Sequence, residues 1–242
     1  TEAAKTLGSW QGVHLLPISP DRQRFAFIRK NALHPCQGYA RRLGMIGGGL
    51  DEHEALLWRD RVEDGAWIAM LRELFEEMNN LRAADCLASR MKYAGKHACR
   101  DYLWSWDGQA SDGSVHLFLA PIETWDEWRR IETTFSQSRD GLNEADPLII
   151  DRTALRQYLR QEQAAAEARQ AELDSLSKDE IRAKAEAWLP FSPQKGKESE
   201  WRKAREAADK AGHFPLEGRG EFQFISGHGA VIKMVLEAEG IL

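Results

Sequence analysis

Over roughly the first 150 residues, apolar positions come in short clusters separated by Gly, Pro and acidic turns. Val13-His14-Leu15-Leu16-Pro17-Ile18 predicts a strand. Ser19-Pro20-Asp21-Arg22 is turn chemistry, and Phe25-Ala26-Phe27-Ile28 returns as a second strand, so the two predict a hairpin. Arg42 to Ile46 leads into Gly47-Gly48-Gly49, and a charged stretch runs from Asp51 to Asp64. Trp67, Met70, Leu71, Leu74, Phe75 and Met78 then recur at helical spacing. They predict a helix over 67–78 that buries Trp67, Met70, Leu71, Leu74 and Phe75 against a sheet. Tyr102 to Trp106 and Val115 to Ala120 read as strands of a second hairpin, with Asp107-Gly108 and Asp112-Gly113 as turn signals between them.

The pattern changes after Pro147. Asp151 is placed to cap a helix through Leu155, Tyr158 and Leu159 into an Ala/Glu/Gln/Arg-rich tract, whose mixed charges fit a solvated helix better than disorder. Lys178 to Leu189 and Ser199 to Ala211 also read as helical, with Pro190 and Pro193 between them. Glu221 to Ile225 reads as a strand and His228 to Glu239 as a final helix. The expected division is a domain over 1–150 and a mainly helical extension over 151–242.

Composition narrows the setting. The chain has 242 residues, 43% of them hydrophobic, with nine Trp, which suffices for a sizeable core. No apolar run is long enough to span a bilayer, and the first residues lack the layout of a signal peptide. Cys36, Cys86 and Cys99 are too few for a disulfide framework and have no CxxC spacing, so the expectation is a cytoplasmic protein without structural zinc. A net charge of −5 gives nucleic-acid binding no support, although a local basic patch is compatible with it.

Glu73, Glu76 and Glu77 stand at i, i+3 and i+4 of the predicted helix, on or near one face. Clustered carboxylates repel unless solvent, basic side chains or divalent cations offset them. Hard oxygen donors suit Mg²⁺ or Mn²⁺, which in turn attract phosphate oxygens. Glycine lets a backbone approach a ligand or metal closely, so the glycine run is placed to complete such a site.

Arg72-Glu73-Leu74-Phe75-Glu76-Glu77-Met78, behind Gly48 and Glu54, resembles the Nudix box: Gly, five residues, Glu, seven residues, then Arg-Glu-apolar-x-Glu-Glu-x-Gly-apolar. The departures are specific. Seventeen residues separate Glu54 from Arg72, so either the loop carries an insertion or Asp64 takes the place of Glu54. Ile46 stands where the family has Pro, Asn79 replaces the late Gly, and Asn80 replaces the apolar position. The resemblance implies an α/β fold, a Nudix-type α/β/α sandwich with a mixed sheet, here followed by a helical C-terminal region. It implies that Glu73 and Glu77 ligate Mg²⁺ or Mn²⁺, with Glu76 as a further ligand or the base that activates water. Gly47 would lend a carbonyl, and Arg72 would orient Glu73 or its neighbours. A further acid is expected from the segment after the Ala120 strand, with Glu123 ahead of Asp126 and Glu127.

Around that core, Gly48 is a candidate for substrate contact. Arg41 and Arg42 could meet a phosphate tail, though a solvated strand end is the commoner role. Trp104 and Trp106 share a strand face and could stack a nucleobase, though a core or a homodimer face is the commoner role of such residues. His228, between Gly227 and Gly229, could contact phosphate, yet a helix start explains those glycines too. Two functional classes follow. One is metal-dependent hydrolysis of a diphosphate bond in a nucleoside diphosphate-linked small molecule such as ADP-ribose, a dinucleotide or a nucleoside triphosphate. The other is a non-catalytic module that senses a nucleotide or binds a partner.

Overall fold

The computed structural model describes residues 10–30, 41–50, 62–78, 81–101, 111–135, 145–177, 179–180, 222–225 and 227–242, and elements are numbered over these. Strands β1 (Trp10–Ile18) and β2 (Arg24–Lys30) form the expected hairpin, antiparallel with Ile18 opposite Phe25. Their turn is fixed by side chains. The Ser19 hydroxyl donates to Asp21 Oδ1 at 2.5 Å and accepts from the Arg24 N–H at 2.9 Å. That hydroxyl contact holds the Asp21 carboxyl below its usual range.

Away from the turn, β1 and β2 take different partners from the next segment. β3 (Leu43–Gly44) pairs with β2, and β4 (Ile46–Gly49) pairs with β1, setting Gly47 opposite His14 and Gly48 opposite Val13. On its other edge β1 runs parallel to β6 (Ser111–Pro121), with Val13 beside His116 and Ile18 beside Pro121. β5 (Lys92–Asp101) is antiparallel to β6, and β7 (Ala145–Asp151) is antiparallel to β2. The result is a mixed seven-stranded sheet.

Alternation along β1 sorts the core into two layers. Val13 and Leu15 join one cluster with Met70, Leu74, Leu87, Trp128 and Ile131, from helices α1 (Val62–Glu77), α2 (Leu81–Arg90) and α3 (Trp125–Phe135). Leu16 and Ile18 join the other with Leu155, Leu159, Val231 and Leu236, from α4 (Arg152–Ser175) and α5 (His228–Ala238). Each large apolar side chain so buried contributes about 1.5–3 kcal/mol. The fold is thus α/β, with helices on both faces of the sheet.

The helix boundaries follow local chemistry. Asp151 Oδ1 accepts from the Ala154 N–H at 2.8 Å and caps α4, as its sequence position predicts. Ser177 and Glu180 bond reciprocally, Ser177 N–H to Glu180 Oε2 at 2.8 Å and Glu180 N–H to Ser177 Oγ at 3.3 Å, which is the capping box of the helix expected from Lys178. The remainder of that helix, and the one expected over 199–211, lie outside the described residues.

Several expectations change. Phe75 is 42% exposed, because helical rotation places it on the outer side with Ile68 and away from Met70 and Leu74. The first arm of the second hairpin is β5, earlier in the chain than Tyr102–Trp106, which fall outside the described residues. The strand expected over 221–225 is reduced to a single parallel bridge, Leu43 to Phe224. Leu155 and Leu159 of α4 and Val231 and Leu236 of α5 pack with Leu16, Ile18, Phe25 and Phe27 of the sheet.

Candidate functional site

The site lies where α1 crosses the end of β4. Ala66, Ala69, Met70 and Leu74 bury the inner stripe of α1. Seating that stripe aims the next positions around the helix at the glycine run. The Gly47 N–H donates to Glu77 Oε2 at 3.1 Å. Gly48 faces Glu73 so closely that a Cβ there would stand 2.6 Å from Glu73 Oε2. Absence of a side chain at 48 is therefore what admits the carboxylate. Gly47 has φ +134, and a Cβ on it would stand 2.1 Å from the Val13 carbonyl oxygen, so glycine is required there by both conformation and space.

Arg72 ties the helix to the loop. Its Nη1 donates to Glu73 Oε1 at 2.7 Å and to Glu76 Oε2 at 3.2 Å, and its Nη2 donates to the Gly49 carbonyl at 3.3 Å. Exposure grades outward, with 12% for the Glu73 side chain, 30% for Arg72 and 57% for Glu76. The acidic side chains thus span from a nearly buried carboxylate beside the loop to one in solvent. Arg72, Glu73, Glu76, Glu77, Gly47 and Gly48 are brought together in the structure. Gly47 meets the cluster through its N–H, and the Gly49 carbonyl accepts from the Arg72 guanidinium.

Glu123, Arg41 and Arg42 make other contacts. Glu123 follows β6, seven positions beyond His116, which is level with Val13 and Gly48 across the sheet. The five strand residues to Pro121 alone put it roughly 17 Å from that level. It is 67% exposed and pairs with Arg90 Nη1 at 2.6 Å. Arg90 also pairs with Glu127 at 2.9 Å, and this hydrogen bond lowers the Glu127 carboxyl and raises the Arg90 guanidinium. Arg41 has φ +62 and its N–H donates to the Lys30 carbonyl at 2.9 Å, six residues back from Gly47 along the chain. Arg42 turns to the other face of the sheet, where Nη1 donates to the Phe222 carbonyl, and burial depresses its guanidinium. Its partners come from late in the chain, which no local pattern around Arg42 announces. Trp104 and Glu54 lie outside the described residues.

A histidine escaped the sequence reading. His116 shares the row of Gly48 and Val13 on the carboxylate side of the sheet, and its Nδ1 lies 2.9 Å from the Tyr93 hydroxyl. Burial, with lesser contributions from Lys96 and His97, lowers it to about 4, so it is neutral at physiological pH. An isolated His inside an apolar strand gives no signal by which to find it.

Whether these groups suit a divalent cation can be judged from their chemistry. Among the described residues, no three His, Cys, Asp or Glu side chains converge as a ready metal cluster. The Arg72 guanidinium, however, already gathers two carboxylates and a backbone carbonyl around one positive charge. Carboxylate and carbonyl oxygens are the donor type that Mg²⁺ or Mn²⁺ takes.

Among the described residues, no helix is long and apolar enough to cross a membrane. No family model matches the chain. No curated protein matches it either. Among solved structures it is similar to a bifunctional NMN adenylyltransferase/ADP ribose pyrophosphatase from Francisella tularensis, in complex with AMP and Mn ion. That likeness has 22% identity, covers 51% of this chain and 32% of the other, and has a TM-score of 0.31. A second structure of the same protein matches at 20% identity, with the same coverage and TM-score. The likeness therefore takes in about a third of the length of that protein and is confined to part of each chain.

Proposed function

We propose that this chain is a Nudix-type pyrophosphohydrolase that cleaves a diphosphate bond in a nucleoside diphosphate-linked small molecule, with Mg²⁺ or Mn²⁺. The observation that carries the reading is the meeting of Glu73 and Glu77 with the glycine run, with Arg72 spanning both. An acidic helix face that served only solubility would point away from the sheet. Here Glu73 is turned inward onto a glycine that makes room for it.

Glu73 and Glu77 would hold the cation from the helix, and the Gly49 carbonyl stands on the loop side. When bound, a divalent cation lowers the pKa of water and screens phosphate charge. Glu76, the most solvated of the three, is placed to take the proton of an attacking water. Gly48 leaves the loop backbone open to a phosphate.

The test is turnover of a panel of nucleoside diphosphate derivatives, with Mg²⁺ and then Mn²⁺, beside Glu76→Gln and Glu77→Gln variants. Metal-dependent cleavage that collapses in both variants is the expected result. A folded protein that binds nucleotide but releases no product on a broad panel would replace this reading with that of a nucleotide sensor.

A further inference from the structure

Chain junctions meet at the end of the sheet where β6 finishes beside Ile18. They are the β1–β2 turn, the passage from α2 into β5, and the passage from β6 into α3. Between them lies a cavity of about 450 Å³. Arg22 lines it from the first junction, Arg90, Met91 and Lys92 from the second, and Ile122 and Glu123 from the third. Gly47 and Gly48 lie beside His14 and Val13 instead, roughly 17 Å back along β1 at the rise of a strand.

The walls carry the cations Arg22, Arg90 and Lys92 against the carboxylate of Glu123. Glu123 pairs with Arg90 Nη1 at 2.6 Å, and Glu127 takes Arg90 Nη2 at 2.9 Å. Arg90 Nε is buried with no hydrogen-bond partner, so this guanidinium retains an unused donor. Among the described residues, Arg22 and Lys92 have no ion pair. The balance therefore stays positive even with Glu127 counted. The Asp21 carboxylate, in the same turn as Arg22, accepts from the Ser19 hydroxyl and the Gln23 N–H at 2.5 and 3.0 Å. Arg22 itself has φ +55, with its N–H donating to the Ser19 carbonyl, a hairpin position that favours glycine. A long cationic side chain kept in a strained conformation on a cavity wall points to a function for that side chain.

We infer that this cavity is a second ligand site, which takes the phosphate group of a small phosphorylated molecule without a metal ion. A carboxylate such as that of Glu123 brings one charge, which a single guanidinium satisfies. A phosphate monoester brings a charge near −2 and three acceptor oxygens, enough for Arg90, Arg22 and Lys92 together. Planar arginine donors and a lysine point charge are both suited to phosphate. The volume lies in the range of small-molecule pockets, about 300–1,000 Å³, and so has room for an organic body beside the phosphate. Met91 and Ile122 offer that body an apolar wall. Glu123 is 67% exposed, so its carboxylate can turn to solvent as the phosphate meets Arg90.

The test is phosphorus NMR of inorganic phosphate and of ribose 5-phosphate, titrated with the full chain at fixed ionic strength after removal of divalent ions on chelating resin. The expected result is saturable binding, tighter for the ester. It should weaken about five- to tenfold in Arg22→Gln and in Lys92→Gln, the scale of one unit charge lost beside a dianion in near-aqueous surroundings. Glu123→Gln, which removes the competing carboxylate, should tighten binding by a similar factor. Arg22→Gly should lose binding yet melt no lower than wild type, because glycine relieves the turn, so the loss cannot be laid to misfolding. Binding that ignores both Arg22 and Lys92, or no saturable binding of either probe, would overturn the inference. Ester binding no tighter than that of inorganic phosphate would overturn the place given to an organic body.

Discussion

The two faces of the sheet carry charge in opposite ways. On the α1 face, Glu73, Glu76 and Glu77 are met by a guanidinium and a loop N–H, and the cluster opens to solvent at Glu76. On the α4 and α5 face the polar groups are sealed. Glu162 is buried, and its Oε2 accepts from the Gln223 and Phe224 N–H groups at 2.6 and 3.2 Å. His14 and His228 are buried with ring centroids 4.2 Å apart, and burial drives both strongly toward the neutral form. β1 supplies both faces, with Val13 toward the carboxylates and His14 toward the histidine pair. Partly solvated charges can be rearranged by a ligand at small cost, whereas sealed ones are committed to holding layers together. Substitutions on the sealed face should therefore register as lost stability, and those on the open face as lost chemistry.

The largest effect is expected at Glu162. Glu162→Ala leaves two inward backbone N–H groups and the nearby Arg42 charge without their carboxylate, a change worth about 3–5 kcal/mol in a buried setting. Denaturant unfolding should show this loss, with turnover per folded molecule unchanged. Inactivity in a fully folded Glu162→Ala would break the division between the faces. Gly47→Ala comes next, at about 3 kcal/mol, because it combines a disfavoured φ with a clash against backbone that cannot rotate away. A melting temperature matching wild type would refute it.

Acid should act on the sealed face as well. His228 lies at about 3 in the folded chain, from burial first and the Lys30 charge second, against 6.5 when exposed. Below 6.5 the unfolded chain takes up a proton that the folded chain refuses, so stability falls with pH from 6.5 down toward about 3. His228 alone accounts for about 2 kcal/mol by pH 5. His14 acts in the same direction. The slope of unfolding free energy between pH 7 and 5 should be shallower in His228→Leu. An unchanged slope would show that the pair does not control acid stability.

What could be read in the sequence follows the same division. The β1–β2 hairpin, the glycine run, α1, the Asp151 cap and α5 are written in local patterns of period, turn and cap. Glu73 and Glu77 were legible as candidates because a four-residue spacing fixes them on a helix whose buried stripe is itself visible. Pairings between distant segments leave no such mark. Glu123 stands just after a strand, and because β6 runs parallel to β1 while β4 runs against it, the end of β6 lies beside Ile18 and the glycine run beside Gly12 to His14. Arg42 reads as a strand end because Glu162 and Phe222, which enclose it, lie far along the chain. α2 and α3 are short and rich in charge but amphipathic, so their helical period was present in the sequence, whereas the pairing of β5 with β6 and of β7 with β2 is not a local signal.

The remaining glycines test the open face most finely. In Gly48→Ala the new methyl would meet the carboxylate end of Glu73, which can swing aside, so stability should fall by less than about 1 kcal/mol. The displaced Glu73 can no longer serve the site, and Mn²⁺ affinity and turnover should drop about 10- to 100-fold, as when a metal ligand loses its support. A Gly48→Ala protein that keeps both would show that Glu73 works from elsewhere. Gly49→Ala gives the smallest effect. A Cβ at 49 meets nothing within 4 Å, and the interaction that Gly49 makes with Arg72 uses its carbonyl oxygen, which alanine retains. Stability should stay within about 0.5 kcal/mol and Mn²⁺ affinity should be unchanged. A large loss in Gly49→Ala would mean that the space beside this residue is filled when the site works, which would place bound substrate against the third glycine.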